Sequence, residues 1–154
     1  MKIIEQKELT KEQQEQVVRL WNKEYPDTLA YQQEEEFSHY LQGLTAPLHY
    51  LLVDEQENLQ GWALTFEREG EQWFAIILDS QIHGQGLGST MLKKLQSKHR
   101  VLNGWVIDHD RAIRSGGAPY RSPLGFYLKN GFETVPETRL ELEKISAVKI
   151  VWGH

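Results

Sequence analysis

The sequence predicts a single α+β domain, in which two amphipathic helices precede an antiparallel half-sheet and a strand–helix–strand crossover. Three observations carry this expectation. Apolar residues recur at helical spacing up to Leu44 and at every second position from Leu48 onward. A short apolar strand, Trp73 to Leu78, then runs through Asp79-Ser80-Gln81-Ile82-His83 into Gly84-Gln85-Gly86-Leu87-Gly88, where a further helix opens. No repeat, low-complexity run or composition break divides the 154 residues, so one domain spanning 1–154 with one substantial core is expected.

Element by element, Ile3-Ile4 reads as a short first strand. Thr10 and Gln13 form a capping-box pair at the start of a helix whose stripe is Val17, Leu20, Trp21 and Tyr25, with Val18 at its edge; Pro26 closes it. A second helix carries Phe37, Tyr40, Leu41 and Leu44 and ends near Gly43, with Glu34-Glu35-Glu36 suited to the positive end of its dipole. Leu48–Val53 is a strand, 54–58 a turn, and Trp62, Leu64 and Phe66 mark the next strand. Gly70 turns it into Trp73–Leu78, whose last residues are apolar on both faces, as in a buried strand. Leu87, Met91, Leu92 and Leu95 line the third helix, and Gly104–Asp108 is the strand completing the crossover. The polar stretch 108–121, with Gly116-Gly117, reads as a long surface loop. Ser122-Pro123 starts a short helix that ends at Asn130-Gly131; strands from Phe132 and over Ile145–Trp152 follow.

Composition narrows the function. A net charge of −5 without any basic run gives no electrostatic reason to bind nucleic acid. Nothing approaches the ~20 apolar residues of a membrane span, and Met1-Lys2-Ile3-Ile4-Glu5 has no signal-like apolar core, so a cytoplasmic location is expected. With no cysteine there is no disulfide, thiolate metal site or cysteine nucleophile. Any acyl transfer therefore proceeds directly or through a weaker nucleophile.

The glycine turn is the chemical centre of the sequence. Alternating glycines leave backbone N–H groups unshielded, and the first turn of the helix adds its own free amides and positive dipole end, which together suit a phosphate or pyrophosphate. A dinucleotide fingerprint needs a glycine where Ser89 stands, although Asp108 lies about where the ribose-binding acid belongs. A Walker loop fails because Gly88-Ser89-Thr90 has no lysine. A turn with no ligand is the plainer alternative.

Here the chain resembles the GCN5-related N-acetyltransferases (GNAT superfamily). Their Arg/Gln-x-x-Gly-x-Gly/Ala signature is matched by His83-Gly84-Gln85-Gly86-Leu87-Gly88, and a downstream Phe-Tyr-x-x-x-Gly-Phe helix by Phe126 to Phe132. The resemblance implies a mixed central sheet with an antiparallel N-terminal half, splayed parallel central strands and flanking helices. It implies acetyl-coenzyme A as co-substrate and an amine acceptor. By position it assigns Ile76 and Leu78 to the pantetheine arm and the acetyl carbonyl. The amides of Gly84, Gln85, Gly86, Leu87, Gly88 and Ser89 go to the pyrophosphate, and Tyr127 is the acid that protonates the departing thiolate. His83 stands where the family has Arg or Gln, and the 108–121 segment is longer than the family's usual link.

The strand Trp73–Leu78 has no carboxylate or histidine, so a base for the amine must come from elsewhere. Asp79, Asp108 and His109, at strand ends, are the candidates, and closing a strand is their simpler role. Asp108-His109-Asp110 is too contiguous for a metal set, so no metal is expected. Trp21, Tyr25, Tyr31 and Tyr40 fall on the helices that wall the family's acceptor pocket; most read as core, with Tyr31 the most suited to a ligand. A small-molecule amine is favoured over a protein, and the acidic balance leans toward a cationic one. The oligomeric state is open, a homodimer among the options. A catalytically silent acyl-coenzyme A sensor and a nucleotide-cofactor domain remain as rivals.

Overall fold

The computed structural model describes residues 1–153. Seven strands form one sheet in the order β1-β2-β3-β4-β5-β7-β6. The strands are β1 (Lys2–Gln6), β2 (Thr45–Val53), β3 (Leu59–Arg68), β4 (Glu71–Leu78), β5 (Val101–Val106), β6 (Glu133–Leu142) and β7 (Ile145–Gly153). Helices α1 (Lys11–Glu24) and α2 (Glu34–Gln42) separate β1 from β2; α3 (Leu87–Lys98) and α4 (Leu124–Lys129) flank β5 in the chain. Every neighbouring pair is antiparallel except β4 and β5, which are parallel. This is the mixed α+β sheet that the order of periodicities predicts.

The predicted Thr10–Gln13 capping box is present, with both reciprocal bonds formed. The period-two pattern sorts residues between two cores. Leu51, Trp62, Leu64, Phe66 and Ile77 face α1 and α2, which contribute Val17, Val18, Leu20 and Phe37. Tyr50, Leu52, Ala63, Phe74, Leu102 and Ile150 face the other way, onto Met91, Leu92 and Leu95 of α3 and Tyr127 of α4.

Some boundaries differ from expectation. Strand β2 begins at Thr45, ahead of Leu48, because a register shift at Ala46 (φ 51°) lets the chain rejoin the ladder after an irregular residue. Strand β5 runs Val101–Val106, not Gly104–Asp108. It starts early because Val101 already pairs with Gly153. It stops early because the Ser122 hydroxyl donates to the Ile107 carbonyl at 2.6 Å. Asp108 is therefore outside the sheet. The expected loop 108–121 is also more ordered than a surface excursion. Tyr120 N–H donates to the Ala112 carbonyl and Arg114 N–H to that of Ala118, so the segment folds into a small hairpin with Gly116-Gly117 (φ 89° and 91°) at its turn. The hairpin docks on the end of α1: Pro26 bridges Arg114, and Asp27 N–H donates to the Ile113 carbonyl.

Candidate functional site

Strands β4 and β5 share one register pair, Trp73 with Asn103, and then diverge toward their C-terminal ends. A cleft of about 760 Å³ lies at that end. Ile76, Ile77 and Leu78 of β4 form one side, and His83, Gly84, Gly86, Gly88 and Ser89 the next. Phe126 and Tyr127 come from α4, Glu24 and Tyr25 from the end of α1, and Arg114, Tyr120 and Arg121 from the hairpin and its exit.

The glycines of the turn are there for two different reasons. Gly84 (φ 80°) and Gly86 (φ 78°) occupy the left-handed region that a side chain rarely tolerates. Gly88 has no such torsion; a Cβ there would meet the Phe126 ring at 3.2 Å and Leu78 Cδ1 at 3.4 Å, so it lets α3 approach α4 and the end of β4. Among the described residues no acceptor lies on the amides of Gly84 through Ser89; the first turn bond is Thr90 N–H to the Gly86 carbonyl. These free amides at the N-terminus of a twelve-residue helix are suited to an anion such as a phosphate.

The side chains predicted for the cofactor are distributed unevenly. Ile76, Leu78, His83, Gly84, Gly86, Gly88 and Ser89 line the cleft, whereas Gln85 is exposed outside it and Leu87 packs on the core of the α3 face. His83 Nε2 lies 3.0 Å from the Leu78 carbonyl. A carbonyl only accepts, so that nitrogen carries the proton, and the ring closes the end of β4 instead of reaching over the turn.

Tyr127 lines the cleft, is 6 % exposed and packs against Phe74, Phe126 and Phe132 at centroid distances of 5.7, 5.1 and 5.4 Å. Burial, and after it the neighbouring Tyr120, pushes its phenol pKa well up. Burial likewise pushes Tyr120 up to about 12 and raises Tyr25, whose ring lies 6.5 Å from that of Tyr120. All three phenols keep their protons at neutral pH.

The three candidate bases lie elsewhere. Asp108 is held by both Arg139 Nη atoms, at 2.9 and 3.0 Å, and this guanidinium keeps its carboxyl below the usual range. His109 accepts from the Arg111 amide through Nδ1. Burial works against the charge of Asp79, yet the Gln81 amide and Lys23 together hold it low as well. None of the three lines the cleft. Tyr31 does not either: it packs on Trp21 and Phe37 in an aromatic cluster, and Tyr25 is the tyrosine of this group that reaches the opening.

The sequence reading missed Glu24 and Arg114. Glu24 is 6 % exposed, accepts from Ser80 N–H at 2.8 Å and from Arg114 Nη1 at 3.0 Å, and so ties together α1, the turn after β4 and the hairpin. Ninety residues separate the pair. The signal available in sequence was a charged residue interrupting the end of an otherwise apolar helical stripe.

No family model matches the chain, and no curated protein matches it in sequence. Solved structures do match in shape. An aminoglycoside 6'-N-acetyltransferase complexed with coenzyme A has a TM-score of 0.73 at 14 % identity, covering 98 % of this chain and 96 % of that one. The PaiA N-acetyltransferase from Thermoplasma acidophilum, also in complex with coenzyme A, has 0.65 at 13 % identity over all of both chains. A mutant of the spermidine N-acetyltransferase SpeG from Vibrio cholerae has 0.66 at 15 % identity, covering 99 % of this chain and 94 % of that one. The chain has the fold of the GCN5-related N-acetyltransferases.

Proposed function

We propose that this protein transfers an acetyl group from acetyl-coenzyme A directly to an amine, with no acyl-enzyme intermediate. The observation that carries the reading is the run of free amides from Gly84 to Ser89 beside a strand edge, Ile76–Leu78, left open by the divergence of β4 from β5. Two neighbours of the same fold are complexed with coenzyme A, and two are named for amine acceptors, an aminoglycoside and spermidine, which supports the same class of ligand here.

When bound, acetyl-coenzyme A supplies a thioester whose carbonyl an amine attacks, forming the C–N bond and releasing the thiol. The chain's residues do the rest. The amides of Gly84–Ser89 neutralise phosphate charge, and the free edge of β4 orients an extended amide-bearing arm by strand-like pairing. Tyr127 gives its proton to the departing sulfur and regains one from solvent, while the amine loses its own proton to water. A raised phenol pKa keeps that proton in place, and the same desolvation raises the proton affinity of a thiolate leaving within the cleft. No proton is routed through Asp108, His109 or Asp79, since none of them borders the cleft.

The test is release of free thiol from acetyl-coenzyme A across a panel of amines, with thermal shift by acetyl-coenzyme A and by NAD run in parallel. Turnover with at least one amine supports the transferase. Stabilisation by coenzyme A without turnover on any amine would favour a silent acyl-coenzyme A sensor. Stabilisation by NAD alone would favour a nucleotide-cofactor domain.

A further inference from the structure

The cleft has two parts of different character. The β4 edge, the glycine turn and the aromatic residues of α4 suit the cofactor. The part from the end of α1 and the segment after β5 carries the charge: Glu24, Arg114 and Arg121 all line the cleft. Both Glu24 oxygens are engaged, one by Arg114 Nη1 and the other by the Ser80 amide. Arg114 uses only Nη1 in this way; its Nη2 and Nε have no acceptor among the described residues, although its side chain is only 26 % exposed. Arg121 has no ion-pair partner among the described residues. This part therefore sums to one excess positive charge, opposite to the acidic balance of the whole chain. A guanidinium clamped by a buried carboxylate at the wall of a cleft, with its remaining N–H groups unpartnered among the described residues, is preorganised for a planar two-oxygen anion.

Resting on the acetyl-transfer reading, we propose that the acceptor is an amine that also carries a carboxylate, and that Arg114, held by Glu24, binds that carboxylate. The hairpin is then the element that selects the acceptor. Its length sets Arg114 against the end of α1, ninety residues away in the chain. Glu24 acts as a positioning residue: it fixes the guanidinium and does not itself meet the acetyl group.

The experiment compares matched amines with and without the carboxylate: lysine and cadaverine, phenylalanine and phenethylamine, methionine and 3-(methylthio)propylamine. Thiol release from acetyl-coenzyme A gives kcat/KM, and thermal shift of the coenzyme A complex by each amine gives binding independently of turnover. At least one carboxylated member should be preferred by about ten- to a hundredfold, the range for a charged hydrogen-bonded contact. Arg114→Gln should abolish that preference through KM, leaving kcat and the thermal shift by coenzyme A alone little changed. Arg114→Lys preserves the ion pair with Glu24 but not the fork; it should lose most of the preference while remaining folded, and it decides the matter if the glutamine variant does not fold. Equal or better use of every decarboxylated member overturns the proposal. So does loss of the coenzyme A shift in Arg114→Lys, which would make Arg114 a ligand of the cofactor's phosphates. If no amine releases thiol, the transferase reading fails, and binding decides this one. Carboxylated amines that stabilise the wild-type complex but not the arginine variants uphold it, and no stabilisation by any amine overturns it.

Discussion

Trp73 and Asn103 form the one register pair between β4 and β5, and Asn103 fixes it by donating from Nδ2 to the Gln72 carbonyl at 3.1 Å. Beyond that point β5 follows β7, with which it stays paired from Val101 to Val106, and β4 follows β3. The cleft exists because the two central strands obey different neighbours.

Gly104, the next residue along β5, keeps the junction closed on the α3 side. A Cβ at this position would stand 2.7 Å from Cε1 of Phe74. Gly104→Ala should destabilise the fold by about 1–3 kcal/mol, the usual range for overpacking. Denaturant unfolding measures it, and a variant as stable as wild type would mean that Phe74 moves aside freely.

Acid should weaken the fold through His49. Its side chain is buried and accepts a hydrogen bond from Trp62 Nε1 on Nδ1 at 3.0 Å, and burial lowers its pKa to about 4. The unfolded chain binds this proton near 6.5 and the folded chain only near 4, so unfolding takes up a proton between those values. Stability is then full above about pH 6.5 and falls as pH drops toward 4, by on the order of 3 kcal/mol in all. His49→Gln should flatten that part of the pH–stability curve; an unchanged slope would place the acid sensitivity elsewhere.

His83 closes the end of β4 through an N–H that neutral and cationic rings both possess. Coenzyme A affinity should therefore depend little on this ring. His83→Ala, which leaves all six turn amides intact, should change affinity by less than about 1 kcal/mol. A large loss of affinity in the variant would mean that the ring swings out to the phosphates.

Tyr127→Phe retains the packing against Phe74 and Phe132 and removes only the proton. Turnover should fall by about 10²–10⁴-fold with Michaelis constants nearly unchanged. Because burial raises the phenol pKa, wild-type activity should show no alkaline limb from this group below about pH 10. Near-wild-type turnover in the variant would reduce Tyr127 to a packing residue.

What the sequence revealed was local. Thr10 and Gln13 are three apart and cap one turn; Gly84 and Gly86 act on their own backbone; Leu87, Met91, Leu92 and Leu95 repeat on one face of one helix. What it concealed depends on residues distant in the chain. The hairpin within 108–121 is ordered by docking on Pro26 and Asp27, which no local propensity encodes. Asp108 reads in sequence as a strand-end acid, but Arg139 and the early end of β5 hold it outside the sheet and off the cleft wall. The role of Glu24 depends on Ser80 and Arg114, which come to it from other elements.

The single rung at Trp73 and Asn103 also divides the molecule mechanically. Strands β1–β4 form one plate and β5–β7–β6 another, each laced by its own ladders, and α3 braces the joint through Met91, Leu92 and Leu95. Parting of the plates breaks few backbone bonds, so it should require less free energy than global unfolding. A molecule lodged in the cleft then works as a keystone, turning two plates into one, and its clearest trace would be slowed hydrogen exchange along the facing edges of β4 and β5.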